Sequence, residues 1–151
     1  MIEENFSLIN KTKGKLPSLP FVKIKNDILG KKYILSVAYV DETTSKKLNN
    51  LYRGKNKSTN VLSFCLHKNE GELILCPAVV KREAKDFDRT FPKFLGFLVI
   101  HGMLHLKGMD HSDTMERREK KYDTKYFSGN RHRLSDDASR GGRIHSRRKK
   151  S

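Results

Sequence analysis

The sequence predicts an α/β domain, and three observations carry that prediction. Four short runs rich in β-branched and aromatic residues have strand length. Between and after them lie segments whose apolar residues recur at helical spacing. One of these, Phe94 to Leu106, is apolar on nearly every side, which marks a buried central helix. A chain of 151 residues is enough for one domain with a real core.

Phe6, Leu8 and Ile9 suggest a first strand, and Lys11 to Pro20 reads as a basic, turn-rich loop. Phe21, Ile24, Ile28 and Leu29 have helical spacing, with Gly30 as the stop. Tyr33 to Val40 is a second strand. Asp41, Thr43 or Thr44 can cap the next helix, which places Leu48, Leu51 and Tyr52 on one face and ends at Gly54. Gly54 to Thr59 resembles a phosphate loop only superficially, because Asn56 precedes Lys57 and no strand leads into it; a basic surface loop is the better reading. Val61–Leu66 and Glu72–Cys76 form an antiparallel pair across a polar turn, His67 to Gly71, which leaves His67 a surface histidine. Pro77 opens a helix with Val79, Val80, Ala84 and Phe87 on its apolar face. Pro92 breaks the chain before the buried helix. A fifth helix runs from Ser112 or Asp113, either of which can cap it, to about Phe127.

From Ser128 the composition shifts to Gly, Ser, Asp and Arg, so the chain divides into a domain, 1–127, and a basic tail, 128–151, expected to be disordered. The formal net charge is +15. The tail has eight Lys/Arg against two Asp, a net of +6, so the domain itself holds the remaining +9. A basic body points to a polyanionic partner such as nucleic acid. Two cysteines, Cys65 and Cys76, are no disulfide framework; both lie in apolar strand-like runs and are expected as buried thiols. The N-terminus lacks a basic and apolar leader, and the longest apolar run, Phe94 to Ile100, is far short of the ~20 residues of a membrane span. A cytoplasmic chain is the expectation.

The chemistry concentrates in His101, His105, Gly108 and His111. His101 and His105 are one helical turn apart and share a face. Gly108 can take the left-handed conformation that turns the chain back, letting His111 approach the same ion. Three protein ligands leave a tetrahedral zinc one open position. The metzincin proteases share this spacing, but where they carry the glutamate base this chain has Gly102, which demotes a peptidase.

At these residues the chain resembles the YbeY-type endoribonucleases, the bacterial rRNA-maturation factors. Leu48 to Lys55, with Thr59 to Phe64, looks like that family's second motif, and Gly71 to Leu75 like its third. The resemblance covers roughly 1–127. It implies a compact fold with a mixed four-stranded sheet flanked by about five helices. It implies that His101, His105 and His111 bind zinc, and that Arg53 contacts RNA or supports cleavage. It further implies single-strand-specific RNA cleavage, 16S rRNA 3′-end processing, ribosome quality control, and the ribosome or its proteins as partners. Asn60 and Glu72 stand where many members have aspartate, so no acid role is carried over to them.

From the residues alone, Arg53 either complements the dipole of the helix it ends or holds a phosphate. Asp110 either orients an imidazole or caps the next helix. With glycine at 102, the nucleophile is either water or the RNA's own 2′-hydroxyl. Two rival readings stand beside the ribonuclease: a non-catalytic RNA-binding assembly factor whose structural metal takes a fourth ligand from Cys65 or Cys76, and a small metal-dependent hydrolase of other substrates.

Overall fold

The computed structural model describes residues 2, 3 and 5–127; the basic tail, 128–151, lies outside them. The elements follow the chain as β1 (Ile2–Glu3), β2 (Phe6–Asn10), α1 (Phe21–Ile28), β3 (Ile34–Tyr39), α2 (Glu42–Arg53), β4 (Val61–His67), β5 (Glu70–Leu75), α3 (Pro77–Ala84), a 3-10 turn (Lys85–Phe87), α4 (Phe91–Leu106) and α5 (Asp113–Phe127). The four expected strands and five expected helices are present, and the two-residue β1 extends the sheet at one edge. Strand order is β1-β2-β3-β5-β4. The central pairs β2/β3 and β3/β5 are parallel, which requires crossovers, and α1 and α2 lie in them. The β4/β5 hairpin and β1 close the two edges in antiparallel register.

Strand alternation sends Leu35, Val37, Tyr39, Leu73 and Leu75 to the face covered by α1, α3, α4 and α5. Ala38, Val40, Leu62 and Ile74 face the other way, under Leu48 of α2. The larger core is built around α4, whose residues 94–104 are all buried. That helix has no polar stripe to show to water, so its place between the sheet and α5 follows from its composition.

Several local expectations are corrected. Pro92 does not break the chain ahead of α4; it lies in the first turn, where its missing N–H costs nothing, and Thr90 Oγ1 caps the helix by accepting from Lys93 N at 3.4 Å. Cys65 is exposed rather than buried, because it lies at the far end of edge strand β4; Cys76 is buried, and that burial pushes its thiol pKa up. α2 is inverted. Asp41 caps it by accepting from Thr44 N at 2.8 Å, and Gly54 ends it at φ 68°. Yet its buried positions are Ser45 and Asn49, while Leu51 and Tyr52 are 72% and 62% exposed. The inward stripe is taken up by hydrogen bonds to the basic loop: Ser45 Oγ donates to Thr59 O and accepts from Thr59 N, both at 2.9 Å, and Asn49 Nδ2 donates to Lys57 O at 2.9 Å. No described helix is long and apolar enough to cross a membrane.

Candidate metal centre

α4 presents His101 and His105 from successive turns. The helix then ends through Gly108, at φ 102°, with Gly108 N donating to His105 O (2.9 Å) and Met109 N to Leu104 O (3.0 Å). Those bonds satisfy the last carbonyls and fold the chain back, bringing His111 against the other two. Ring centroids are 4.5 Å apart for His101–His105, 4.9 Å for His105–His111 and 5.3 Å for His101–His111. One ligand atom from each lies within 4.8 Å of the others, and burial falls off from His101 through His105 to the exposed His111. The cluster therefore has a closed floor and a side open to solvent.

Which nitrogens face inward is fixed from behind. His101 Nδ1 is 2.5 Å from Glu119 Oε2, and Glu119 is only 2% exposed. A carboxylate accepts, so His101 carries its proton on Nδ1. His105 Nδ1–H likewise donates to Met109 O at 3.0 Å. In the neutral rings both Nε2 atoms are then left as lone pairs, and they face each other across 3.2 Å. Two acceptors that close repel unless something positive lies between them. Two nitrogens bound tetrahedrally to zinc at about 2.0–2.1 Å would be about 3.3 Å apart, so the spacing suits one shared cation. Burial first, and then His101 and His111, push the pKa of His105 down to about 4, which keeps its imidazole in the neutral, ligating form at neutral pH. The donor set fits a divalent transition metal.

Glu119 was not singled out from the sequence. Its signal was there: Met115, Glu119 and Tyr122 are the buried residues of α5, at i, i+4 and i+7, so an acid sits on an otherwise apolar stripe. Asp110 does neither job proposed for it. It is exposed, and Ser112 caps α5, its Oγ accepting from Met115 N at 3.1 Å. α5 is in turn anchored by Arg89–Asp123 (2.9 Å, both side chains largely buried) and by Lys125–Asp27 (2.6 Å), which fixes where Glu119 meets His101.

Arg53 is the last residue of α2 and is exposed. His67 is exposed on β4. Among the described residues neither cysteine joins the metal-competent group; Cys65 Sγ instead donates to Leu106 O at 3.8 Å.

Gly102 has a packing reason. A Cβ there would stand 2.7 Å from Leu73 Cδ2 and 3.5 Å from Val61 Cγ2, because α4 lies directly on β4 and β5 at this point. The position that holds the base in the proteases here faces the sheet. Gly102→Glu is expected to lose roughly 3 kcal/mol or more of stability, from overpacking and a buried, unpaired carboxylate. Urea unfolding measures this, and a wild-type midpoint would show that the helix has room to spare.

A family model described as Endoribonuclease YbeY matches residues 16–127. The Endoribonuclease YbeY of Chromobacterium violaceum is 41% identical over 90 residues, 54% of this chain and 54% of that protein. Its namesake in Thermotoga maritima is 38% identical over 117 residues, 72% and 78% of the two chains. That of Thermodesulfovibrio yellowstonii is 36% identical over 136 residues, 84% and 82%. The chain thus spans about half the length of some relatives and about four-fifths of others. A solution structure from Thermotoga maritima matches at a TM-score of 0.59 and 31% identity, covering 87% of this chain and 95% of the other. With its histidine motif on α4 and the turn beyond, the chain belongs to the YbeY family.

Proposed function

We propose that residues 1–127 are a zinc-dependent endoribonuclease domain that cuts single-stranded RNA. We place its activity in 16S rRNA 3′-end maturation and ribosome quality control, in the cytoplasm, with the ribosome as partner. The observation that carries this reading is the pair of facing Nε2 lone pairs, each imidazole locked from behind, beside an exposed third histidine. Three protein ligands with an open side are the pattern of catalytic rather than structural zinc. The shared name of the relatives and the +9 net charge of the domain support RNA as the substrate.

The metal, when bound, supplies a Lewis acid and lowers the pKa of water to about 7. The chain's own residues do the rest. Glu119 and the Met109 carbonyl hold the two imidazoles in the ligating tautomer. Gly102 leaves no protein base at the position where the proteases have one. Arg53 offers a planar cation for a phosphate oxygen and reaches it once RNA crosses the edge of the sheet. The tail, 128–151, adds non-specific affinity for RNA through its charge.

Arg53→Ala separates these parts. It is expected to keep metal and fold while cutting a labelled single-stranded RNA about 10–100-fold more slowly, an effect typical of losing one charged contact. Duplex RNA of the same sequence is expected to survive wild type. Unchanged cleavage by the variant would return Arg53 to a role in the helix dipole, and equal cutting of duplex would refute strand selectivity.

A further inference from the structure

α2 hides polar residues and shows apolar ones, and that inversion is the feature of the fold the metal centre leaves unexplained. Ser45 and Asn49 are 1% exposed, whereas Leu51 and Tyr52 are 72% and 62% exposed. The Tyr52 ring does not dangle. It sits edge-to-face on Phe64 of β4, with centroids 5.1 Å apart and planes at 62°. Phe64 is itself held in the minor core with Leu62 and Ile74, so Tyr52 is a braced aromatic surface facing solvent.

Its surroundings are cationic. Arg53 and Lys57 are exposed beside it, with Lys46 and Lys47 on the same helix and His67 and Lys68 at the far end of β4. The acids nearby are mostly engaged: Glu42 takes a two-pronged bond from Arg82, at 2.8 and 2.9 Å, and one from Ser58. Glu72, cross-strand from Phe64, is half-buried. The loop bearing Lys57 is not loose, because its Lys57 and Thr59 backbones are tied to Asn49 and Ser45. The buried polar stripe of α2 therefore fixes a basic loop next to an open ring.

The platform is also close to the histidines in the fold. Phe64 and Cys65 are adjacent on β4 and point to opposite faces. Phe64 carries Tyr52, while Cys65 Sγ meets the carbonyl of Leu106, the residue after His105. One edge strand separates the ring from the end of the metal helix.

We propose that Tyr52, braced by Phe64, is a stacking platform for an unpaired base of an RNA strand whose neighbouring phosphates lie on Arg53 and Lys57. The inference rests on the RNA reading above and deepens it: it assigns the residue that holds the strand while the histidines act on it. An aromatic face takes any base, and lysines take any backbone, so the contact selects single strands over duplex without reading sequence. A protein partner fits less well, because the apolar area is a few side chains rimmed by like charges.

The chain has no tryptophan, so Tyr52→Trp places its single tryptophan, which can be excited selectively, on the platform. Titrating that metal-loaded variant with a single-stranded oligoribonucleotide is expected to quench its emission. An abasic oligonucleotide of equal length, with phosphates and no bases, is expected to leave it bright. Tyr52→Ala is expected to bind the RNA roughly 5–100-fold more weakly with an unchanged salt slope. Lys57→Ala is expected to lower that slope by about 0.7. Equal quenching by the abasic strand, or wild-type affinity in Tyr52→Ala, overturns the platform while steep salt-dependent binding by wild type keeps the RNA reading. Wild-type protein that binds no RNA at any salt overturns both.

Discussion

His105→Ala is expected to come out folded and nearly free of metal. The fold does not lean on this side chain, because α4 is held by its buried apolar residues from Phe94 to Leu104 and by α5 behind it. The metal does lean on it. Binding a zinc through protein ligands is worth on the order of 10–16 kcal/mol, and losing one ligand of three removes about 4 kcal/mol or more, roughly a thousandfold in affinity. The remaining pair is a poor chelate, since His101 is buried on the helix and His111 is exposed on the turn beyond it. Elemental analysis and far-UV circular dichroism read the two halves of the result. Stoichiometric metal in the folded variant would refute the site.

Glu119→Ala tests the support behind the ligands. Glu119 is buried, and the His101 Nδ1–H has that carboxylate as its acceptor at 2.5 Å. Removing it leaves a buried donor unpaired, frees the ring to turn or to change tautomer, and lowers the basicity of the ligating nitrogen. Changes to such partners of metal-bound histidines cost about 10–100-fold in metal affinity or activity. Glu119→Gln keeps the volume and one acceptor oxygen and is expected at the weaker end of that range. The ordering Ala worse than Gln worse than wild type, measured by chelator competition at matched folding, is the expected outcome. Equal metal affinity in all three would mean that the 2.5 Å contact only packs α5 onto α4.

The two layers of the site differed in how legible they were. The ligands were visible because three spacings act together: i to i+4 on a helix, a glycine that can turn the chain, and three more residues to return. That is local geometry, and α4 carries it with Gly108 at φ 102° as the turn needs. Glu119 is fourteen residues beyond His105 and eighteen beyond His101. Its partnership depends on how α5 crosses α4, which no local pattern encodes; Asp110 was the nearer acid and the wrong one.

The fold divides along the same line. Strand and helix periods gave the elements to within a few residues. What they missed was set by position in the sheet. Cys65 belongs to an apolar run yet is exposed, because β4 is an edge strand and its end outruns its cover. Leu51 and Tyr52 looked like an inward face, but Ser45 and Asn49 won it by supplying the hydrogen bonds that the 57–59 backbone needed. Gly102 was legible as a missing base but not as a contact with Leu73, which is twenty-nine residues away in sequence.

The measurement that goes most directly to the central claim is cleavage of a labelled single-stranded RNA by protein of known metal content, before and after the metal is stripped with a chelator and restored. The account predicts cutting by the loaded chain, loss of cutting on stripping, and recovery when zinc is returned. Cutting that persists after stripping would contradict the metal's role. A metal-loaded chain that binds RNA in a salt-dependent way and never cuts it would contradict the ribonuclease and leave an RNA-binding assembly factor.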